Sequence, residues 1–257
     1  MPELPDLQVF SHNLHKRLAS KTLQDIKIHR SQKASENQIK QALAGAKLEK
    51  FYREGKELRL KFDNDQILGM HLRLHGKLFV SQDENKENNT IADLYFTDKT
   101  RLTLTDFQGI ATLDLNPVEK ESPDALDEEM NAAYLESKLS KTRIIIKTML
   151  LDQDIIRGIG NAYADEILWD ARISPLSKSN KIPEVKIAEL VDSIKSVLMQ
   201  AEKHILQSYP NLINGEVRDF LKVHNSKKTE TPTGAKIEVS IVGSKKTYYT
   251  SEQELYV

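Results

Sequence analysis

Apolar residues at Leu7, Phe10, Leu14 and Leu18 recur every three or four positions, predicting one stripe of a helix that Pro5 and Asp6 are placed to open. Between residues 46 and 115 the period shortens to two. Leu58, Leu60 and Phe62 alternate with charges, and QILGMHL, KLFV, IADLYF and RLTLTDF follow, separated by polar turns such as Asp63-Asn64-Asp65. These are antiparallel strands of a sandwich or barrel, and they predict a first domain over residues 1–117. NPVEKESPDALDEE has turn formers and acid but no period, so residues 118–130 are expected to be an acidic linker. From 131 to 223 the pattern is helical: Pro183 can occupy a first turn, and Ile187, Leu190, Val191, Ile194, Val197, Leu198, Ala201 and Ile205 extend one apolar face. After Asp219 alternation returns, and TGAKIEVSIVGSKKTYYTS predicts two short strands joined at Gly243-Ser244, a terminal module over 224–257. The class is α+β with several domains, an N-terminal antiparallel β-sandwich flanked by helices, a helical domain and a C-terminal β-hairpin.

Composition adds exclusions. The 257 residues allow two or three cores, and 39% hydrophobic with 29% charged residues is ordinary for a folded globular chain. No apolar run approaches the roughly 20 residues that span a bilayer, and MPELPDLQVF lacks a basic stretch followed by an apolar one, so no membrane association and an intracellular, cytoplasmic location are expected. With no cysteine there is no thiolate metal site, and the seven histidines are scattered, so neither a metal nor a cofactor is expected. The net charge of -1 hides a segregation: acids crowd residues 119–129, whereas Arg218, Lys222, Lys227, Lys228, Lys236, Lys245 and Lys246 follow later.

Two segments carry candidate chemistry. Methionine is usually removed before a small second residue, which would leave Pro2 as a terminal secondary amine. Terminal amines titrate near 8, against about 10.4 for lysine, so more of the nucleophilic free base is present at neutrality. Such an amine adding to a sugar C1′ expels the base and leaves an iminium, the electron sink for strand-breaking elimination, with Glu3 alongside to shuttle protons. On its own a second-position proline is a weak signal. In mid-chain, Arg157-Gly158-Ile159-Gly160-Asn161 predicts a tight turn between helices, with Asn161 capping the second and free amides suited to a phosphate. A plain helix hairpin explains that segment equally well.

MPELPD together with LLDQDIIRGIGNAYADEIL resembles the formamidopyrimidine-DNA glycosylase and endonuclease VIII family over nearly the whole chain, including GKELRL, HLRLHGKLFV and RDFLKVHN. The resemblance implies a helix-two-turns-helix motif in the helical domain, damaged double-stranded DNA as partner, a monomer, and a bifunctional glycosylase and abasic-site lyase that removes oxidised bases and cuts by β,δ-elimination. It implies Pro2 as Schiff-base nucleophile, Glu3 as the acid protonating the opening sugar, and Lys56 as a catalytic residue that contacts a phosphate beside the lesion and assists the reaction. His71 and Asn161 match phosphate-holding residues, and Asp6 a second carboxylate. Departures are equally specific. The four zinc cysteines of the family finger fall at Glu230, Thr233, Thr250 and Gln253, implying a zincless finger, and the finger arginine becomes Lys245, with Lys246 beside it. A lysine lacks the bidentate fork. DFQGIATL stands where the family carries an arginine and a phenylalanine that fill the void of the everted base, leaving Phe107 or Gln108 as substitutes and Leu74 near the usual wedge methionine. Two other readings remain open: an enzyme acting mainly as a lyase on abasic sites, and a non-catalytic damaged-DNA-binding protein. A tautomerase using Pro2 is disfavoured by the glycine-rich turn.

Overall fold

A computed structural model describes residues 1–83 and 87–257, and the chain divides into two units, Met1–Glu119 with His204–Glu216, and Lys120–Lys203 with Val217–Val257. In the first, helix α1 (Leu4–Leu18) begins where Glu3 and Asp6 close a capping box, the Glu3 N–H donating to Asp6 Oδ2 at 2.9 Å. Pro5 costs nothing there because first-turn amides have no helical acceptor. The stripe of Leu7, Phe10, Leu14 and Leu18 is buried, each side chain contributing about 1.5–3 kcal/mol by leaving water.

Strand β1 (Leu23–Ile28) and helix α2 (Glu36–Leu43) follow, then β2 (Leu48–Glu54), β3 (Glu57–Phe62), β4 (Ile67–His71), β5 (Lys77–Ser81), β6 (Thr90–Phe96), β7 (Arg101–Thr105) and β8 (Thr112–Leu115). They form two antiparallel four-stranded sheets, ordered β1-β6-β7-β5 and β2-β3-β4-β8. Alternate residues of both, with α1, make one core including Phe10, Phe62, Leu60, Leu94 and Phe96. The segment 204–216 completes this unit: Ile213 enters the core, Asn13 and Arg17 donate to the carbonyls of Leu212 and Asn211 at 2.8 Å, and Asn214 donates to Leu78 O at 3.0 Å.

On the surface of this unit Lys21 pairs with Asp98, and the ammonium holds that carboxyl down at about 2. A lowered folded value means stability that is present above about 4 and lost as pH falls through about 2. Both groups are partly exposed, so Asp98→Asn is expected to cost under about 1 kcal/mol at pH 7, and only a small part of that at pH 2. Thermal melts at the two pH values read the difference; an equal melting temperature at pH 7 would refute it.

The second unit holds α3 (Ala132–Leu139), α4 (Ile146–Leu151), α5 (Asn161–Asp170), a 3-10 turn (Ser179–Lys181), most of the 25-residue α6 (Glu184–Ser208), and the hairpin β9 (Glu238–Val242) and β10 (Lys245–Tyr249). The hairpin turns at Gly243 and Ser244 with φ of +52° and +64°, the positive pair of a type I′ turn. The acidic stretch is not a free linker. Ser122, Pro123, Asp124 and Ala125 are buried, the Arg157 N–H donates to Pro123 O, the Ala125 N–H to Arg157 O, and Ser122 Oγ to Gln153 O. Its acids beyond Asp124 face solvent while its backbone is spent on the glycine-rich turn. Among the described residues no helix is long and apolar enough to cross a membrane.

Candidate nucleic-acid interface and catalytic residues

Each unit presents a separate set of the sequence-predicted residues. In the first, Pro2 and Glu3 are buried at the head of α1, and Asp6 is fully enclosed. The capping box fixes the backbone there, with Asp6 Oδ2 accepting from the Glu3 amide. Met1 precedes them, and its amine is bonded to Oε1 of Glu216 from the returning segment. Glu216 was not apparent from the sequence, because nothing local marks a residue more than two hundred positions from its partner.

Lys56 occupies the two-residue turn between β2 and β3, after Gly55 with φ +56°. Positive φ at the first turn position suits glycine and leaves the second to a side chain that reaches outward. His71 ends β4, its Nδ1 accepting from the Arg73 N–H at 3.1 Å. The turn beyond is closed by the Gly76 N–H on Leu72 O at 2.8 Å, and a Cβ on Gly76 would meet that oxygen at 2.4 Å, so only glycine permits it. The closure pushes Leu74 outward to 50% exposure.

The loop after β7 is shaped by Asp106, whose buried carboxylate accepts from the N–H groups of Gln108, Ile110 and Ala111 at 3.0, 2.7 and 2.8 Å. Phe107 is thereby 61% exposed and leans on His75, ring centroids 4.4 Å apart at 41°. Gln108 is also exposed. Ile110, which sequence reasoning passed over, is a further exposed apolar group on this loop. The signal for it was available: an isoleucine in a stretch otherwise held by turn residues.

In the second unit the glycine-rich turn carries φ +101° at Gly158, while Gly160 is extended and itself caps α5. Asn161 is therefore not the cap expected from its residue type. It is the first helical residue, and its Nδ2 donates to Lys246 O on β10 at 3.0 Å, while Oδ1 is buried without a partner. Asn161 and the Lys245-Lys246 pair are thus brought together. Both lysines are exposed, and the Lys246 ammonium lies 5.2 Å from the centre of the Tyr248 ring.

Behind that strand lies a cluster of buried charge. Lys147 Nζ sits 2.7 Å from Asp165 Oδ1, off the hydrogen-bonding direction of that oxygen, and donates to Thr247 Oγ1 at 2.8 Å. Asp165 Oδ2 accepts from the Tyr248 N–H at 3.0 Å and meets His224 Nδ1 at 2.7 Å. Neighbouring Glu166 accepts from the N–H groups of Lys222, Val223 and His224; burial pushes its carboxyl up, opposed by those three bonds. Two adjacent acids within the apolar run NAYADEILW signalled such a site. At the finger positions the Thr231 and Thr233 hydroxyls meet at 2.7 Å, the Thr250 N–H donates to Gln253 Oε1 at 2.8 Å, and Trp169, Thr233 and Thr250 all donate to Glu252.

This arrangement has many relatives. Residues 1–113 match the formamidopyrimidine-DNA glycosylase N-terminal domain, and residues 122–208 the H2TH domain of the same enzymes. The chain is 31% identical to formamidopyrimidine-DNA glycosylase of Bacillus cereus, covering 97% of both, and 30% identical to that of Chloroflexus aurantiacus, covering 97% of this chain and 96% of the relative. The solved complex of the Lactococcus lactis enzyme with abasic-site DNA superposes with a TM-score of 0.87 at 27% identity, and MutM bound to DNA containing carbocyclic 8-oxo-G with 0.87 at 28%, each covering 98% of this chain and all of the other. The chain belongs to the formamidopyrimidine-DNA glycosylase family, DNA-binding glycosylases that act on damaged bases in DNA repair.

Proposed function

We propose that this chain is a monomeric, bifunctional glycosylase and abasic-site lyase for oxidised bases in duplex DNA, with Pro2 as its nucleophile once Met1 is removed. The observation that carries the reading is the head of α1, where Pro2 is followed by Glu3 and Asp6 locked in a capping box, so that nucleophile and proton donor are fixed by one helix start. Attack of the Pro2 nitrogen on C1′ displaces the base, and the resulting iminium acidifies the neighbouring protons for β,δ-elimination. Glu3 protonates the ring oxygen as the sugar opens. Lys56, His71, Asn161, Lys245 and Lys246 hold phosphates, while Leu74, Phe107 and Gln108 occupy the space vacated by the everted nucleotide. Exposed Leu74 and Phe107 support that wedge role. The abasic-site and 8-oxo-G DNA held by solved relatives supports damaged duplex as the ligand.

Borohydride reduction during incubation with abasic-site duplex tests the chemistry. The processed wild type is expected to yield a covalent adduct, and Pro2→Gly, whose primary amine lacks the ring that aims it, about 100-fold less. Tight binding to the same duplex without any adduct would favour the non-catalytic reading, and adduct formation without release of any oxidised base from a lesion panel would favour a lyase alone.

A further inference from the structure

We propose that Glu216 is the base that removes the C2′ proton in strand-cleaving elimination; this rests on Pro2 as nucleophile. An amide on proline and an iminium on proline share a shape: in both, the ring nitrogen is planar and bonded to a trigonal carbon. The Met1 carbonyl carbon therefore stands where C1′ stands in the covalent intermediate. Of the two groups on that carbon, Cα is the one bearing further substituents, and it marks C2′. The Met1 amine marks one of the three directions about C2′, two of which are C–H bonds in the deoxyribose. Glu216 Oε1 is bonded to that amine, so its carboxylate is directed at the substituents of C2′.

The surroundings suit the task. Glu216 is 36% exposed, enough to meet a substrate, yet its backbone is held by Ile213 in the core and by Asn214 on Leu78 O. Asp6 is enclosed and occupied with the Glu3 amide. In the step, a Glu216 oxygen takes H from C2′ and the C–H pair forms C1′=C2′, neutralising the iminium nitrogen. The nitrogen lone pair then restores the iminium, C2′=C3′ forms, and the C3′–O bond breaks with its electrons leaving on the phosphate. Glu216 ends protonated, and no oxidant or cofactor enters.

Processed wild type, Glu216→Gln and Glu216→Asp are compared in single turnover on duplex with a preformed abasic site, following both the borohydride-trapped adduct and the cut strand. Glu216→Gln is expected to form adduct at the wild-type rate while cutting about 100-fold more slowly, within the span of general-base contributions. Glu216→Asp is expected to recover part of the loss, and 2′-dideuteration to slow cutting without slowing adduct formation. Cutting by Glu216→Gln at the wild-type rate, or a parallel loss of adduct and cutting, overturns the assignment. No adduct from the wild type overturns the Pro2 reading, and this one with it.

Discussion

A chain that keeps Met1 is expected to form no borohydride-trapped adduct and to cut abasic-site DNA at the background rate, while melting at the same temperature as the processed chain. With Met1 attached, the Pro2 nitrogen is an amide whose lone pair is delocalised into the carbonyl, the source of a rotation barrier of about 18–20 kcal/mol. No side chain can restore nucleophilicity to it. Met1 also occupies the position next to the nitrogen with its amine on Glu216, so substrate is excluded by volume as well. Mass spectrometry separates processed from unprocessed chains, and lyase activity should scale with the processed fraction alone. A preparation wholly retaining Met1 that cuts as fast as a processed one would remove Pro2 from the mechanism.

The second large effect concerns stability. Asp165→Asn is expected to destabilise the second unit by about 3–5 kcal/mol, because it leaves the Lys147 ammonium enclosed without its counter-charge. Both side chains are wholly buried. The double replacement Lys147→Met with Asp165→Leu should recover part of the loss, since well-packed apolar groups cost no desolvation while the buried Tyr248 N–H loses its acceptor. Denaturant titration of wild type, Lys147→Met, Asp165→Leu and the double replacement gives the coupling; Asp165→Asn within about 0.5 kcal/mol of wild type would show that the pair is dispensable. Lys147 donates to Thr247, and the Tyr248 amide donates to Asp165. The same substitution therefore loosens β10, which carries Lys245 and Lys246, and weaker DNA binding should accompany it.

Periodicity made much of the architecture readable. Alternation located β3 through β7, and the three-to-four spacing located α1 and α6, since one buried face dictates each pattern. Helix α2 went unmarked because its eight residues bury only Ile39 and Leu43, although Ser35 and Gln38 form a capping box that its S-x-x-Q spacing announces. Asn161 shows where local chemistry misleads. Asparagine is a favoured cap, yet extended Gly160 takes that place and Asn161 answers a carbonyl 85 residues away. Lys147 reads as an ordinary helical lysine until Asp165 is brought to it, and Glu216 as a loop acid until it is found on the terminal amine. In each case the deciding partner is remote in sequence. The acidic stretch misled in the opposite way, because its charges describe side chains that face water while its backbone is engaged by Arg157.

The first unit is assembled from two stretches of chain, 1–119 and 204–216. A protease that cuts only between 119 and 120 would therefore release nothing, and a gene truncated there would encode a sandwich stripped of Ile213, of the acceptors for Asn13 and Arg17, and of Glu216. Swapping such a module between relatives demands splicing at three junctions rather than one.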